Sequence, residues 1–335
     1  MLMQMHENRY VKLPARRKNA FRLLFLLFAL LLSGCGGKPG SPGSGNAAEE
    51  SADASSGGYS WQPLASSEDL LVTHADGTKT FQNEDGSIVL DLSHTDNGYL
   101  MIKDTNDKSI QIQITNPNGE MYPYPLKEGG EFEALPLTCG DGDYSIKVLE
   151  NVSGDQYAVG LSQDFTVKLL DEFQPFLYPS QYVDYSATSD VVKLGEKLAG
   201  EAKSDLEYVQ NVYNYVISNI SYDEQLAEST PMNYIPEPDE TLSSGKGICF
   251  DYASLMTALL RCEKVPTKLV TGYSGKAYHA WVSVYLEKRG WVDHIIFFDG
   301  KKWTLMDPTL GANNDEKEVK KYVGDGSNYT EKYVY

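Results

Sequence analysis

The sequence predicts an α+β protein, in which helices pack on an antiparallel sheet and an all-β sandwich-like domain comes first. The first part alternates apolar and polar side chains with period two, as at 109–114, 144–148 and 165–169. A strong turn signal, Asn116-Pro117-Asn118-Gly119, ends the first of these segments. After residue 171 the pattern changes to helices and then strands, which is the order typical of α+β domains.

Three helices are predicted in the second part. The first covers 190–198 and stops at Gly200, and Ser204 with Glu207 forms a capping-box signature that opens the second. A long loop rich in Pro, Glu and Ser is predicted over 224–244, and loops of that length are often functional. The third helix is predicted to start at Cys249. Five strands are predicted at 268–273, 280–286, 291–297, 302–306 and 329–335.

The N-terminus has the pattern of a signal peptide. A basic segment precedes Leu23–Leu32, an apolar run of ten residues, whereas spanning a bilayer takes about 20. The run ends in Leu32-Ser33-Gly34-Cys35, which resembles the bacterial lipobox. That resemblance implies cleavage before Cys35 and lipidation of its thiol. The alternative is an ordinary secretory signal with a chance cysteine.

These patterns divide the chain into four regions. Residues 1–34 are the predicted lipoprotein signal peptide, and 35–58 are the lipidated Cys with a flexible Gly/Ser/Pro tether. Residues 59–172 form the predicted sandwich-like domain, whose role is either a spacer or the binding of substrate or cell wall. Residues 173–335 form the predicted catalytic domain. A lipid anchor followed by a tether predicts a location on the extracellular side of the cell membrane.

Charge and cysteine content narrow the possible functions. Removing residues 1–34 takes away six Lys/Arg and one Glu, which leaves 23 basic and 46 acidic side chains and a net charge of −23. Nucleic acid is therefore not an expected partner, because phosphate binding needs a basic face. Three cysteines remain besides Cys35, an odd number that implies no disulfide framework. No spacing suggests a metal site, and no cofactor is expected.

Cys249 has the surroundings of a reactive thiol. It is predicted to open a helix directly after Gly245-Lys246-Gly247, whose glycines allow a sharp turn. A helix N-terminus favours thiolate and can offer N–H donors to an oxyanion. The alternative is a buried structural cysteine, which is the role predicted for Cys139 and Cys262.

His279 lies 30 residues after Cys249, and Asp307 lies 28 residues after His279. His279 begins a predicted strand, and imidazole can take and return a proton near neutral pH. Asp307 ends another, where a carboxylate can orient an imidazole and stabilise its charged form. Each residue also has a structural interpretation. His279 would then be a packed histidine, and Asp307 would be a turn residue before proline. His294 is a rival for the base.

Together, these segments resemble the transglutaminase-like superfamily, a relative of the papain-type thiol enzymes. The resemblance covers about residues 190–310, and its matching segments are 220–223, 247–253, 264–273, 278–282 and 303–309. It implies a transglutaminase-like (papain-like) fold for the second domain. The sequence contains no counterpart of the calcium sites of animal transglutaminases.

The resemblance also implies residue roles. Cys249 would be the nucleophile, His279 the general base and acid, and Asp307 the group that orients the imidazole. Tyr222, or a group in the 224–244 loop, is a candidate side-chain donor to the oxyanion. Asp251 and Tyr252 match usual positions of the family and are interpreted as shaping the start of the helix.

Three functions are consistent with this pattern. The first is a hydrolytic peptidase or amidase that acts through a thioester acyl-enzyme, the second a cross-linking transglutaminase at the cell surface, and the third a non-catalytic binding or scaffold protein. The expected partner is a protein or peptide substrate, with cell-wall peptides among the candidates, and the lipid contacts the membrane. Substrate identity and oligomeric state do not follow from the sequence.

Overall fold

Two antiparallel sheets form the first part of the protein, as the alternating segments predict. The computed structural model describes residues 10–12, 59–106, 108–127, 129–293, 296–298, 303–305 and 329–335. One sheet has the strand order β1-β9-β8-β5-β6 and the other β2-β3-β4-β7. Their bounds are β1 Tyr10–Lys12, β2 Thr80–Gln82, β3 Ile88–Asp91, β4 Tyr99–Asp104, β5 Ile110–Thr115, β6 Met121–Pro125, β7 Glu133–Pro136, β8 Gly142–Ser153 and β9 Gln156–Val167.

Period-two alternation builds the core between these sheets. Ile110, Ile112 and Ile114 of β5 are buried, whereas the glutamines between them are partly exposed. Buried Ile and Leu side chains of β3 and β4 belong to the same apolar cluster. The sheets approach closely at Gly160 of β9, where an added Cβ would lie 2.8 Å from Cδ1 of Ile88. This part is therefore the expected sandwich.

The second part has helices packed on a four-stranded antiparallel sheet, so the predicted α+β class is confirmed. Its helices are α1 Asp190–Gly200, α2 Asp205–Asn219, α3 Glu224–Ser229, α4 Pro238–Ser244 and α5 Cys249–Arg261. Its strands are β10 Ser221–Tyr222, β11 Lys246–Gly247, β12 Thr267–Ser274, β13 Ala277–Leu286, β14 Gly290–Val292, β15 Ile296–Phe298, β16 Trp303–Leu305 and β17 Tyr329–Val334. The sheet order is β14-β13-β12-β17, and α5 packs on β12 and β13.

The predicted capping signal opens α2. The hydroxyl of Ser204 accepts a hydrogen bond from the Glu207 N–H at 3.2 Å, and the Glu207 carboxylate accepts one from the Lys203 N–H at 2.9 Å. The Glu207 carboxylate thus bonds the N–H of Lys203, the residue before the N-cap. In a capping box it would bond the N–H of the N-cap itself, Ser204. Both bonds satisfy donors near the helix start that would otherwise lack acceptors.

Two sequence expectations about secondary structure are wrong. The 224–244 segment carries α3 and α4 rather than one continuous loop. Asp223 caps α3 by accepting from the Leu226 N–H at 2.8 Å, and Gly245 ends α4 in a left-handed conformation with φ 64°. The strand predicted at 291–297 is divided, because β14 pairs with β13 whereas β15 pairs with β16.

The two parts are in direct contact. Trp61, which lies between β1 and β2, stacks on Tyr208 of α2 with ring centroids 5.4 Å apart, and its indole N–H donates to the carbonyl of Glu263. Tyr335 packs against Tyr124 of β6 at 5.7 Å. Residues between β1 and β2 and after the last strand thus connect the two parts, while the border predicted at 172/173 stays a prediction.

Candidate active site

Cys249 occupies the first position of α5, as the sequence predicts. Ile248 before it is extended, with φ −94° and ψ 178°, and helical geometry begins at the cysteine. Cys249 is partly exposed, whereas the side chains from Asp251 to Cys262 are all buried. The first N–H groups of a helix have no intrahelical acceptor, so the thiol lies beside free backbone donors.

Asp251 fixes the backbone that leads into the cysteine. One carboxylate oxygen accepts a hydrogen bond from the Ile248 N–H at 2.7 Å. Gly247 is required beside it, because an added Cβ would lie 2.5 Å from Cβ of Asp251. The expectation that Asp251 shapes the helix start therefore agrees with these contacts.

Tyr234 donates a second hydrogen bond to the Asp251 carboxylate. Its hydroxyl donates to the other oxygen of Asp251 at 2.7 Å. Burial raises the pKa of Asp251, while the hydrogen bonds from Ile248 and Tyr234 lower it. Burial and the bond to Asp251 raise the pKa of Tyr234 as well. The sequence offers no signal for Tyr234 beyond a tyrosine in a long segment between helices.

Tyr222 lies next to the residues that precede Cys249 in the chain. β10 and β11 pair in parallel, with Tyr222 opposite Gly247, two residues before the cysteine. The Asp223 N–H donates to the carbonyl of Gly247 at 3.0 Å and continues the pairing. This register agrees with the predicted neighbourhood of the oxyanion-donor candidate, and its role stays a prediction.

Tyr252 anchors the same helix to α2. It is fully buried, and its hydroxyl donates to the carbonyl of Ile220 at 2.6 Å. Ile220 directly follows α2 as its C-cap. Tyr252 therefore has a structural contact, in agreement with the expectation that it is not a reactant.

His279 is the third residue of β13, the strand on which α5 packs, and it is partly exposed. It lies opposite Gly272 of β12. A Cβ at Gly272 would lie 2.1 Å from the carbonyl oxygen of Thr330 and 2.8 Å from Trp281, so β17 and Trp281 require a glycine at this position.

Tyr182 packs beside the start of α5. The ring of Phe250, next to Cys249, lies 5.2 Å from the ring of Tyr182. Burial raises the pKa of Tyr182, and the nearby hydroxyl of Tyr278 adds to that effect. Tyr182 thus packs against the residue that follows Cys249.

Asp307, the predicted orienting carboxylate, lies outside the described residues. The same holds for the rival base His294 and the predicted lipidation site Cys35. Their roles stay predictions.

The other cysteines have structural surroundings. Cys262 is buried, and a Cβ added at Gly195 of α1 would lie 2.4 Å from its sulfur. Burial raises the pKa of the Cys262 thiol well above its usual range. The sulfur of Cys139 accepts from the side-chain amide of Asn116 at 3.0 Å. Among the three cysteines that the structure describes, Cys249 is the one at a helix start.

Within the described part of the chain, no group of three or more His, Cys, Asp or Glu side chains is arranged to hold a metal ion. In that same part, no helix combines the length and apolar character that crossing a membrane requires.

Comparison with known proteins supports the resemblance seen in the sequence. Residues 192–294 match the transglutaminase-like superfamily. Kyphoscoliosis peptidase from human is 30% identical over 228 residues, which is 63% of this chain and 32% of that protein. The mouse protein of the same name is 29% identical over 158 residues, which is 42% of this chain and 22% of the mouse protein. The chain thus spans about a third or less of the length of these relatives.

A structural likeness accompanies these matches. The periplasmic domain of TgpA from Pseudomonas aeruginosa matches with a TM-score of 0.29 and 15% identity, over 51% of this chain and 70% of that one.

Proposed function

We propose that this protein, whose residues 192–294 match the transglutaminase-like superfamily, is a membrane-anchored extracellular cysteine enzyme that hydrolyses amide bonds of peptides or side chains. One observation carries the proposal. Cys249 is a partly exposed thiol at the first position of a buried helix, and a buried carboxylate fixes the backbone just before it.

The reaction would proceed in two steps. His279 takes the thiol proton, and the Cys249 sulfur attacks the amide carbonyl carbon. The C–N bond breaks, the imidazolium gives its proton to the leaving amine, and a thioester remains on the sulfur. Water, deprotonated by His279, then attacks the thioester, and the carboxylic acid and free thiol are released.

The residues around Cys249 position the groups that take part in these steps. Asp251 and Gly247 hold the backbone before the cysteine. The position of the thiol relative to the first N–H groups of α5 is therefore fixed. Such pre-positioned donors stabilise an oxyanion at low reorganisation cost. Tyr222, opposite Gly247, is the candidate for an added side-chain donor. Asp307 would orient His279.

Hydrolysis is favoured over cross-linking for two reasons. Water is the default acceptor of a thioester, whereas cross-linking needs a bound amine. The matched human and mouse proteins also carry the name peptidase. Peptide substrates, including cell-wall peptides, fit a protein whose predicted signal and lipidated Cys35 hold it outside the cell membrane.

The first test is alkylation of the protein with iodoacetamide across a range of pH, with the modified cysteine located by mass spectrometry. We expect fast labelling of Cys249 near neutral pH, and slower labelling in His279→Ala. Slow labelling near neutral pH, unchanged in that variant, would support a non-catalytic scaffold instead. Cys139→Ser is the matched control and should leave the fast phase intact.

The second test separates hydrolysis from transfer. A peptide library is incubated with the protein, with and without a fluorescent primary amine, and the products are identified by mass spectrometry. Free acids and amines that are absent with Cys249→Ala support hydrolysis. Incorporation of the fluorescent amine as the main product would show that cross-linking is the reaction.

A further inference from the structure

Two tyrosines are exposed side by side at the end of the β12–β13 hairpin. Among the residues that the structure describes, Tyr273 of β12 and Tyr278 of β13 are the most exposed aromatic residues, at 42% and 54%. They lie directly opposite each other in the strand register, and their ring centroids are 5.5 Å apart in an edge-to-face arrangement. Exposed apolar side chains that adjoin one another, unlike those scattered singly, mark interaction sites.

The direction of the chain places this pair at the Cys249 end of α5. The guanidinium of Arg261, the last residue of α5, donates to the carbonyl of Thr267, the first residue of β12, at 2.9 Å. Because α5 and β12 also pack on each other, β12 runs back along the helix. Thirteen residues of helix span about 20 Å and eight residues of strand about 26 Å. Tyr273 and its partner Tyr278 therefore lie near the start of α5.

A continuous row of side chains joins the start of α5 to the exposed pair. Tyr182, which packs on Phe250, lies 4.8 Å from the ring of Tyr335. The row continues through Tyr333 and the Lys332 ammonium. The separations along it are 6.2 Å between the Tyr335 and Tyr333 rings, 5.0 Å from Lys332 Nζ to the Tyr333 ring and 6.0 Å from Lys332 Nζ to the Tyr278 ring. The exposed pair is thus the outer end of a row that begins beside the nucleophile candidate.

Lys332 places a positive charge beside the pair. Its ammonium lies over two rings of the row, and within the described residues no carboxylate forms an ion pair with it. The neighbouring Glu331 interacts electrostatically with Lys268. A second exposed lysine, Lys276, lies in the turn between β12 and β13. In a chain with a net charge of −18, this hairpin end is a local cationic surface.

We infer that Tyr273, Tyr278 and Lys332 form a substrate-binding surface for an acidic peptide segment, in which an aromatic or apolar residue adjoins Asp or Glu. The apolar side chain would lie against the two tyrosine rings, and the carboxylate would pair with the Lys332 ammonium. The hydroxyl of Tyr278 donates to Oγ1 of Thr271 at 2.9 Å, so this ring is held in place before a substrate binds. The inference rests on the proposed function, because it names the substrate class of the same enzyme.

The test is retention of a peptide library by the immobilised full chain carrying Cys249→Ala, which binds without turnover. The library contains acetylated and amidated tetrapeptides with Glu, Gln or Lys at the second position, Phe or Gly at the third, and alanine at both ends. Retained peptides are quantified by mass spectrometry. We expect Glu-Phe to be retained about threefold more than Gln-Phe, the effect of an exposed ion pair. Glu-Gly should be retained less than Glu-Phe, because it offers no ring to the tyrosines.

A charge reversal separates recognition from folding. Lys332→Glu should reverse the preference, so that Lys-Phe is retained more than Glu-Phe, a result that loss of structure does not produce. Tyr273→Ser should lower the retention of every Phe peptide, whereas Tyr273→Phe keeps the ring and should retain them. Lys147→Glu, at an exposed position of β8, is the matched control and should keep the preference for Glu-Phe.

Three outcomes would overturn the inference: equal retention of Glu-Phe and Gln-Phe, an unchanged preference in Lys332→Glu, or retention of no peptide. Because the retaining chain lacks the nucleophile, none of these results depends on catalysis. Failure of the proposed function would instead appear as slow alkylation of Cys249. Lys332→Glu and Tyr273→Ser, made in the chain that keeps Cys249, should leave the alkylation rate unchanged.

Discussion

The hydroxyl of Tyr234 donates a 2.7 Å hydrogen bond to Oδ1 of Asp251, whose other oxygen holds the Ile248 N–H at the start of α5. Tyr234 lies between α3 and α4, in the segment where the sequence predicts only a loop. The bond thus connects that segment to the backbone that positions Cys249.

We expect Tyr234→Phe to destabilise the protein by about 1–3 kcal/mol at neutral pH, because a buried carboxylate loses a donor. Since burial raises the pKa of Asp251, its protonation stabilises the folded state. That contribution is present at low pH and is lost as pH rises through the folded-state pKa. The Tyr234 donor offsets this loss, so the variant should be weakened more at neutral than at acidic pH.

Urea unfolding at several pH values measures this effect, with Tyr215→Phe on α2 as the control. Cys249 alkylation should also become slower in Tyr234→Phe. A stability difference that does not change with pH would show that the bond has no role in the ionisation of Asp251.

The choice of histidine can be tested by turnover. His279→Ala should remove most activity, and His294→Ala should change it little. Asp307→Asn should lower the rate by about 10³–10⁴, because the imidazole would take the wrong tautomer. Equal losses in the two histidine variants would mean that His279 is not the base, and normal turnover in Asp307→Asn would remove that residue from the mechanism.

Because Gly195 and Cys262 are in close contact, substitutions at the two positions should have coupled effects on stability. Gly195→Ala would place a Cβ 2.4 Å from the Cys262 sulfur, and overpacking of this kind costs about 1–3 kcal/mol. Cys262→Ala removes the sulfur, so the penalty of Gly195→Ala should be smaller in that background. A double-mutant cycle by urea unfolding measures the coupling, and strictly additive effects would contradict the close contact.

Arg261 should be important for stability. Its guanidinium is fully buried and donates to the carbonyls of Thr267, Tyr178 and Tyr335. Burial lowers its pKa to about 10. Arg261→Leu leaves three carbonyls without this donor, and each buried acceptor left unsatisfied should cost about 1–3 kcal/mol.

The exposed Arg289 is the control for Arg261, and its replacement by Leu should cost far less. Urea unfolding of both variants provides the comparison. Similar losses at the two positions would show that the three carbonyl contacts contribute little.

Lipidation can be tested by fractionation. Cys35→Ser removes the thiol that would carry the lipid, so the protein should leave the membrane fraction. Continued presence with membranes, shown by immunoblotting of both fractions, would refute lipidation as the anchor.

The sequence by itself determined the classes of element and the position of the nucleophile candidate. Isoleucines two residues apart predicted β5, because alternate side chains of a strand face one core. Ser204 with Glu207 predicted the start of α2 through local hydrogen bonds. The glycine-rich turn before Cys249 predicted that residue at a helix start. These signals act over a few residues, so the order of residues alone carries them.

Only the tertiary structure decided which distant residues meet. Tyr234 and Asp251 are 17 residues apart, and neither position has a local signal for their bond. The division of the strand predicted at 291–297 depends on two different partner strands. Tyr273 and Tyr278 lie near Cys249 because β12 runs back along α5. Such contacts depend on packing between separate elements, which local periodicity does not encode.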